Sequence, residues 1–182
     1  MKLTTQARDL ATSMLSESLP RRWAHVKAVA AKAERVSAML DRADQDVLIA
    51  AAWLHDIGYA PPLAHSGFHP LDGARWLRSR RLGERVACLV AHHTCAILEA
   101  EERGLAGALD AEFRREESPT ADALWYCDAT TGPDGQDLDV FERLIEIRTR
   151  YGPDDLVTRF IDRAEPDIVA AVRRTEARLA AL

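Results

Sequence analysis

The chain is poor in several things that would each point to a function. Lysine occurs only at Lys2, Lys27 and Lys32, and the net charge is −5. That balance argues against a dedicated duplex nucleic-acid binder or a membrane-surface protein. Cysteine occurs three times, at Cys88, Cys95 and Cys127, with no Cys-x-x-Cys spacing. An odd number without that spacing excludes a disulfide framework and a structural zinc knot, and it fits a reducing, cytoplasmic setting. No apolar stretch reaches the ~18 residues a membrane span requires, and Met1 to Gln6 carries no apolar signal region. Alternating β-branched runs are missing too. Asp72-Gly73 and Asp134-Gly135 lack strand-like flanks, so hairpins are not expected.

What remains is helical. The 182 residues, 47% apolar and 29% charged, suffice for one domain around a sizeable core. We expect an all-α domain over 1–182, a multi-helix bundle with its chemistry between about 21 and 131. C-terminal helices over 137–182 pack on it. The pattern predicts helices over Thr4–Ser18, Arg21–Leu40 and Asp44–Asp56. A loop reaches Phe68, broken by Gly58 and Pro61-Pro62. Helices follow to Arg80 and over Glu84–His93. A charged, irregular helical excursion spans Ala96–Glu117, and a buried helix spans Ala121–Ala129. Two or three last helices are expected to break at Tyr151-Gly152-Pro153 and near Pro166.

The third helix is apolar from Val47 to Leu54 and then ends in His55-Asp56. A buried carboxylate without a partner costs several kcal/mol, so such groups are paired or bind metal. His and Asp both ligate divalent first-row ions. His25 lies on the same helical stripe as Val29, Ala33, Val36 and Leu40, facing the core. It is either a satisfied core histidine or a ligand. Arg22 shares that face. Asp128 ends another apolar helix, where it serves as a metal ligand, a cap or an arginine partner. His69 begins the fourth helix and could be a cap instead. His92-His93 ends the fifth, where histidine also complements the helix dipole. His65 is expected in solvent.

The ordered set His25, His55-Asp56, Asp128 resembles the H…HD…D signature of the HD-domain superfamily of metal-dependent phosphohydrolases. Ala52-Trp53-Leu54-His55-Asp56-Ile57-Gly58 is similar to its central motif. The resemblance implies that His25, His55, Asp56 and Asp128 bind one divalent ion. His69 and His93 match the extended H…HD…H…H…D subset, in which a second ion shares the HD aspartate. His93 is preferred to His92 because Thr94 follows it. The Gly-Tyr-Pro signature of the cyclic-dinucleotide branch is missing.

The implied activity is hydrolysis of a phosphoester or phosphoanhydride in a nucleotide-like small molecule by a metal-activated water. The cofactor is one or two ions of Mn, Fe, Co, Ni or Zn. Asp56 and Arg22 are the candidate catalytic residues, Arg22 as a phosphate clamp. Asp72 and Arg75 are weaker candidates, Asp72 for orienting a ligand or water and Arg75 for holding phosphate. Segments Tyr59–Phe68 and Glu99–Glu117 are expected to border the pocket. A di-iron oxygenase and a non-catalytic nucleotide-binding domain are the alternatives. Oligomeric state is left open.

Overall fold

The computed structural model describes residues 2–182 and contains ten α-helices. They are α1 (Leu3–Leu15), α2 (Pro20–Val36), α3 (Arg42–Leu54), α4 (His69–Ser79), α5 (Glu84–Ala91), α6 (Ala96–Glu102), α7 (Ala106–Glu112), α8 (Pro119–Ala129), α9 (Val140–Tyr151) and α10 (Leu156–Leu179). No strand occurs among the described residues; one isolated bridge joins Thr131 to Asp137. Among the described residues no helix is long and apolar enough to cross a membrane.

α3 is the central helix, in contact with α1, α2, α5 and α8. Asp41 caps it by accepting from the Asp44 amide at 3.1 Å. Leu48, Ala50, Ala51, Ala52 and Leu54 are fully buried. Each such leucine contributes roughly 1.5–3 kcal/mol through burial. The small alanines let neighbouring helices approach closely, which explains a helix apolar on most sides.

After α3 the chain makes a short 3-10 turn, Ile57–Tyr59, and packs directly against the start of α4. Gly58 is required there. A Cβ on it would lie 2.0 Å from the His69 carbonyl oxygen. This contact sets His69 beside the end of α3. Asp72 lies one turn into α4 and accepts from the His65 and Ser66 amides at 2.9–3.1 Å. It therefore secures the loop before α4. It does not orient a donor histidine, which corrects the expectation for Asp72.

Two apolar clusters divide the molecule. The larger joins α1 to α7 and much of α8. The smaller contains Trp125, Leu144, Ile147, Phe160, Ile161 and Ile168, binding α9 and α10 to α8. α10 continues unbroken through Pro166, against the expected break. Proline removes one N–H donor, leaving the Asp162 carbonyl without its helical partner. Both residues are exposed, so water can serve that carbonyl.

Candidate metal centre

Four helix ends and the interior of α2 converge on one point. The end of α3 brings His55 and Asp56, the start of α4 brings His69, and the end of α5 brings His93. α2 contributes His25, and the last turn of α8 contributes Asp128. Two sets of donor atoms result, His25–His55–Asp128 and Asp56–His69–His93, each within 4.8 Å of one another. Asp56 lies between them. Its Oδ2 is 3.4 Å from His55 Nε2 and 3.9 Å from His25 Nε2, while its Oδ1 is 3.3 Å from His69 Nε2.

The ring orientations are fixed by backbone. His55 Nδ1–H donates to the Ala52 carbonyl at 2.9 Å, and His93 Nδ1–H to the Val90 carbonyl at 2.6 Å. Each histidine uses the carbonyl three residues back, one left free where its helix ends. His25 Nδ1–H donates to the Gly132 carbonyl at 3.0 Å. A carbonyl only accepts, so these three imidazoles turn their Nε2 lone pairs inward.

That arrangement fits a cation. His25 Nε2 and His55 Nε2 are 3.3 Å apart, and His69 Nε2 and His93 Nε2 are 3.2 Å apart. Two lone pairs at such separations repel unless a proton or metal ion lies with them. Burial alone would lower the His55 pKa, but the Asp56 carboxylate overrides it and raises it to about 9. In the absence of metal, therefore, a proton takes the cation's place. His93, buried and beside His69 and His55, is pushed down to about 4 and stays neutral. Burial would raise both carboxyls. Arg22 and His55 instead hold Asp56 well below the ordinary carboxylate range, and His25 and His55 do the same for Asp128. Both aspartates are ionised and ready to ligate.

Thr94 Oγ donates to Asp128 Oδ2. Thr94 and Cys95 both adopt positive φ, 47° and 58°, a strained geometry found preferentially at functional sites. Tyr59 stacks on His69 at 4.0 Å, while the Arg22 guanidinium lies 3.9 Å above the Tyr59 ring. Arg22 also donates to Asp56 Oδ2 at 2.7 Å. The loop after α8 is strapped to α2 by Lys32, which bonds Thr130, and by Arg21, which pairs with Asp134 at 2.8 Å. These ties bring the Gly132 carbonyl to His25.

His92 does not join the cluster. Its Nε2 contacts the Phe113 carbonyl at 2.8 Å, away from the donors. Arg75 pairs with Glu112, so it holds α4 to α7 instead of reaching a phosphate. Cys127 is buried and its thiol is pushed up to about 12, unsuited to ligation. Sequence reasoning missed Tyr59 as a packing partner, Thr94 as a hydrogen-bond donor to Asp128, and the carbonyls that orient the rings. Only Thr94 had a signal, its place after His93.

Asp56, His69, His93 and Asp128 open onto a cavity of about 200 Å³ that also includes Tyr59, Glu99, Arg103, Arg143, Arg150 and Phe160. The expected borders are met at Tyr59, Glu99 and Arg103. The rest of the loop before Phe68, and the segment after Arg103, contribute no lining residue. The opposite wall comes from α9 and α10, which the sequence had suggested only as packing helices.

The HD domain family model matches residues 22–164, most of the chain and all six donors. The chain belongs to the HD domain family. No curated protein and no solved structure matches it. The matched span includes α9 and the start of α10, so this HD domain extends beyond its motif-bearing helices.

Proposed function

We propose that this HD domain is a metal-dependent phosphohydrolase acting on a phosphoester or phosphoanhydride of a small, nucleotide-like molecule. The observation that carries the reading is Asp56, with one oxygen facing each donor triad at the floor of an arginine-bearing cavity. His25, His55, Asp56 and Asp128 would hold one divalent ion, and His69 and His93 would hold a second with Asp56. Ions there would supply Lewis-acid polarisation of the phosphoryl group and a lowered pKa for coordinated water.

The chain's own residues do the rest. The backbone carbonyls of Ala52, Val90 and Gly132 keep the imidazoles oriented, as second-shell groups do in metal sites generally. Arg22 neutralises Asp56 in the metal-free protein. Were Asp56 to hold an ion, Arg22 would lose this acceptor, and its planar fork of N–H groups could donate to a phosphate. Tyr59 holds that guanidinium near the donors by stacking.

The test is anaerobic loading with Mn, Fe, Co, Ni or Zn singly, followed by phosphate release from a panel of phosphoesters and phosphoanhydrides. At least one loading should turn over part of the panel, and Asp56→Ala should lose both metal and activity. A metal-free, folded Asp56→Ala with full activity would sink the proposal. The shared carboxylate also suits a di-iron oxygenase. Oxygen uptake by iron-loaded protein without phosphate release would replace the hydrolase reading. Tight nucleotide binding without turnover under every loading would make the domain a binding module.

A further inference from the structure

A second cavity, of about 340 Å³, lies against the first. Arg22, Arg143 and Arg150 line both. Arg21 and His25 also line the second, and no Asp or Glu does. Three guanidinium groups thus stand on the partition between the donor cluster and a carboxylate-free hollow.

Arg143 is the unusual member. It is only 6% exposed, yet its Nε–H has no hydrogen-bond partner among the described residues. Its NH1 pairs with Glu146. A buried donor on a cation is rarely left unused, and where one is, a missing ligand is a physical explanation. Glu146 is shared: Arg150 Nε lies 3.3 Å from its other oxygen. One carboxylate therefore serves two arginines, and the pair carries a net positive charge towards the cavities. α9 repeats its face at Arg143, Ile147 and Arg150, so the same stripe that packs its core presents both guanidinium groups.

We infer that Arg143 and Arg150, with Arg22, form an anion subsite that takes a second phosphoryl group of the substrate. This deepens the phosphohydrolase reading and rests on it. The substrate class narrows to molecules with two phosphoryl groups, adjacent or closely spaced. One sits at the donor cluster while the other meets the Arg143 and Arg150 side chains that line both cavities. A guanidinium can give a phosphate two parallel bonds, which an ammonium cannot.

Inorganic pyrophosphate is the probe, titrated calorimetrically into protein stripped by chelation and then reloaded with metal, with inorganic phosphate as the comparison. Wild type should bind pyrophosphate more tightly than phosphate. Arg143→Gln should weaken pyrophosphate by about 10- to 100-fold, the usual range for losing a hydrogen bond to a charged group. Arg143→Lys should fail to restore it, since lysine keeps the charge but not the fork. Circular dichroism and metal stoichiometry after reloading should not change. Equal affinity in wild type and folded Arg143→Gln, or no binding by wild type, overturns the inference. If Arg143→Gln does not fold, Arg150→Gln decides: a weakened pyrophosphate site supports the subsite and an unchanged one rejects it. The two readings fail separately. Phosphate release from monophosphate esters without pyrophosphate binding rejects the subsite alone. Pyrophosphate binding without hydrolysis under any metal rejects the hydrolase alone.

Discussion

His25, His55 and His93 are each held by a backbone carbonyl, whereas Arg143 and Arg150 share a single side-chain partner, Glu146. The two regions face one cavity and are built by opposite means. The Ala52 and Val90 carbonyls move only if their helices move, and Gly132 sits in a loop strapped to α2 by Lys32 and Arg21, so the imidazoles keep one orientation. A glutamate can rotate, so the arginines can exchange partners when an anion arrives. The first kind of anchoring suits a metal ion, which demands fixed donors. The second suits a phosphate that must enter and leave.

The same contrast holds in packing. The donor helices α2 to α5 belong to the larger apolar cluster, α9 and α10 to the smaller one, and α8 to both. Damage at the donors should therefore appear in metal content, and damage at the arginine wall in ligand affinity. A variant that affects both alike would break the comparison.

The largest effect is expected from Asp56→Ala. Both triads lose a donor or a near neighbour, and several kcal/mol of charge stabilisation disappears with the ions. Activity should fall by about a thousandfold or more, with metal absent on elemental analysis and helical content retained. A sharper version compares His69→Ala with the wild type after identical loading. Metal should drop from two ions to one per chain, because His25, His55, Asp56 and Asp128 all remain together. Unchanged stoichiometry would remove His69 from the ligand set.

Thr94→Val tests a smaller support. It keeps the shape and removes the hydrogen bond to Asp128. Metal affinity should fall by about 10- to 100-fold, as for other outer-shell partners. Equal affinity in a chelator competition would make the strained turn at Thr94 structural only.

The smallest effect concerns pH. In metal-free protein His55 holds a proton with a pKa raised to about 9, and metal must displace it. Affinity should rise by about tenfold per pH unit below 9 and level off above it. His93, lowered to about 4, is already neutral and adds no slope near pH 7. The measurement is a chelator competition at several pH values, and a flat profile from pH 6.5 to 8.5 contradicts the assignment. The arginine wall should show no such dependence, since guanidinium stays charged throughout.

Four of the six donors were legible in the sequence because each breaks a local rule, while His69 and His93 rested on the family resemblance. His55-Asp56 ends an apolar helix, His25 sits on a core-facing stripe, and Asp128 closes another apolar run. Such anomalies are visible within one helix. The continuity of α10 was not, because proline's cost depends on whether its orphaned carbonyl faces water. Nor was the fate of Asp72 and Arg75, whose partners lie in a loop and in α7.

The sequence by itself pointed to an all-α chain through helical periodicity and to His25, His55, Asp56 and Asp128 through the cost of burying charge, while His69 and His93 rested on the family resemblance. His93 was preferred to His92 on the strength of its neighbour Thr94. Tertiary structure supplied the physical reason: the turn after α5 points His93 at His69 and His92 at the Phe113 carbonyl. It also decided that α9 closes the site with arginines. Those residues look like ordinary surface cations in a chain with 24 basic residues. Only the packing of α9 through the smaller core turns Arg143 inward, because which face a helix buries depends on the partner it meets.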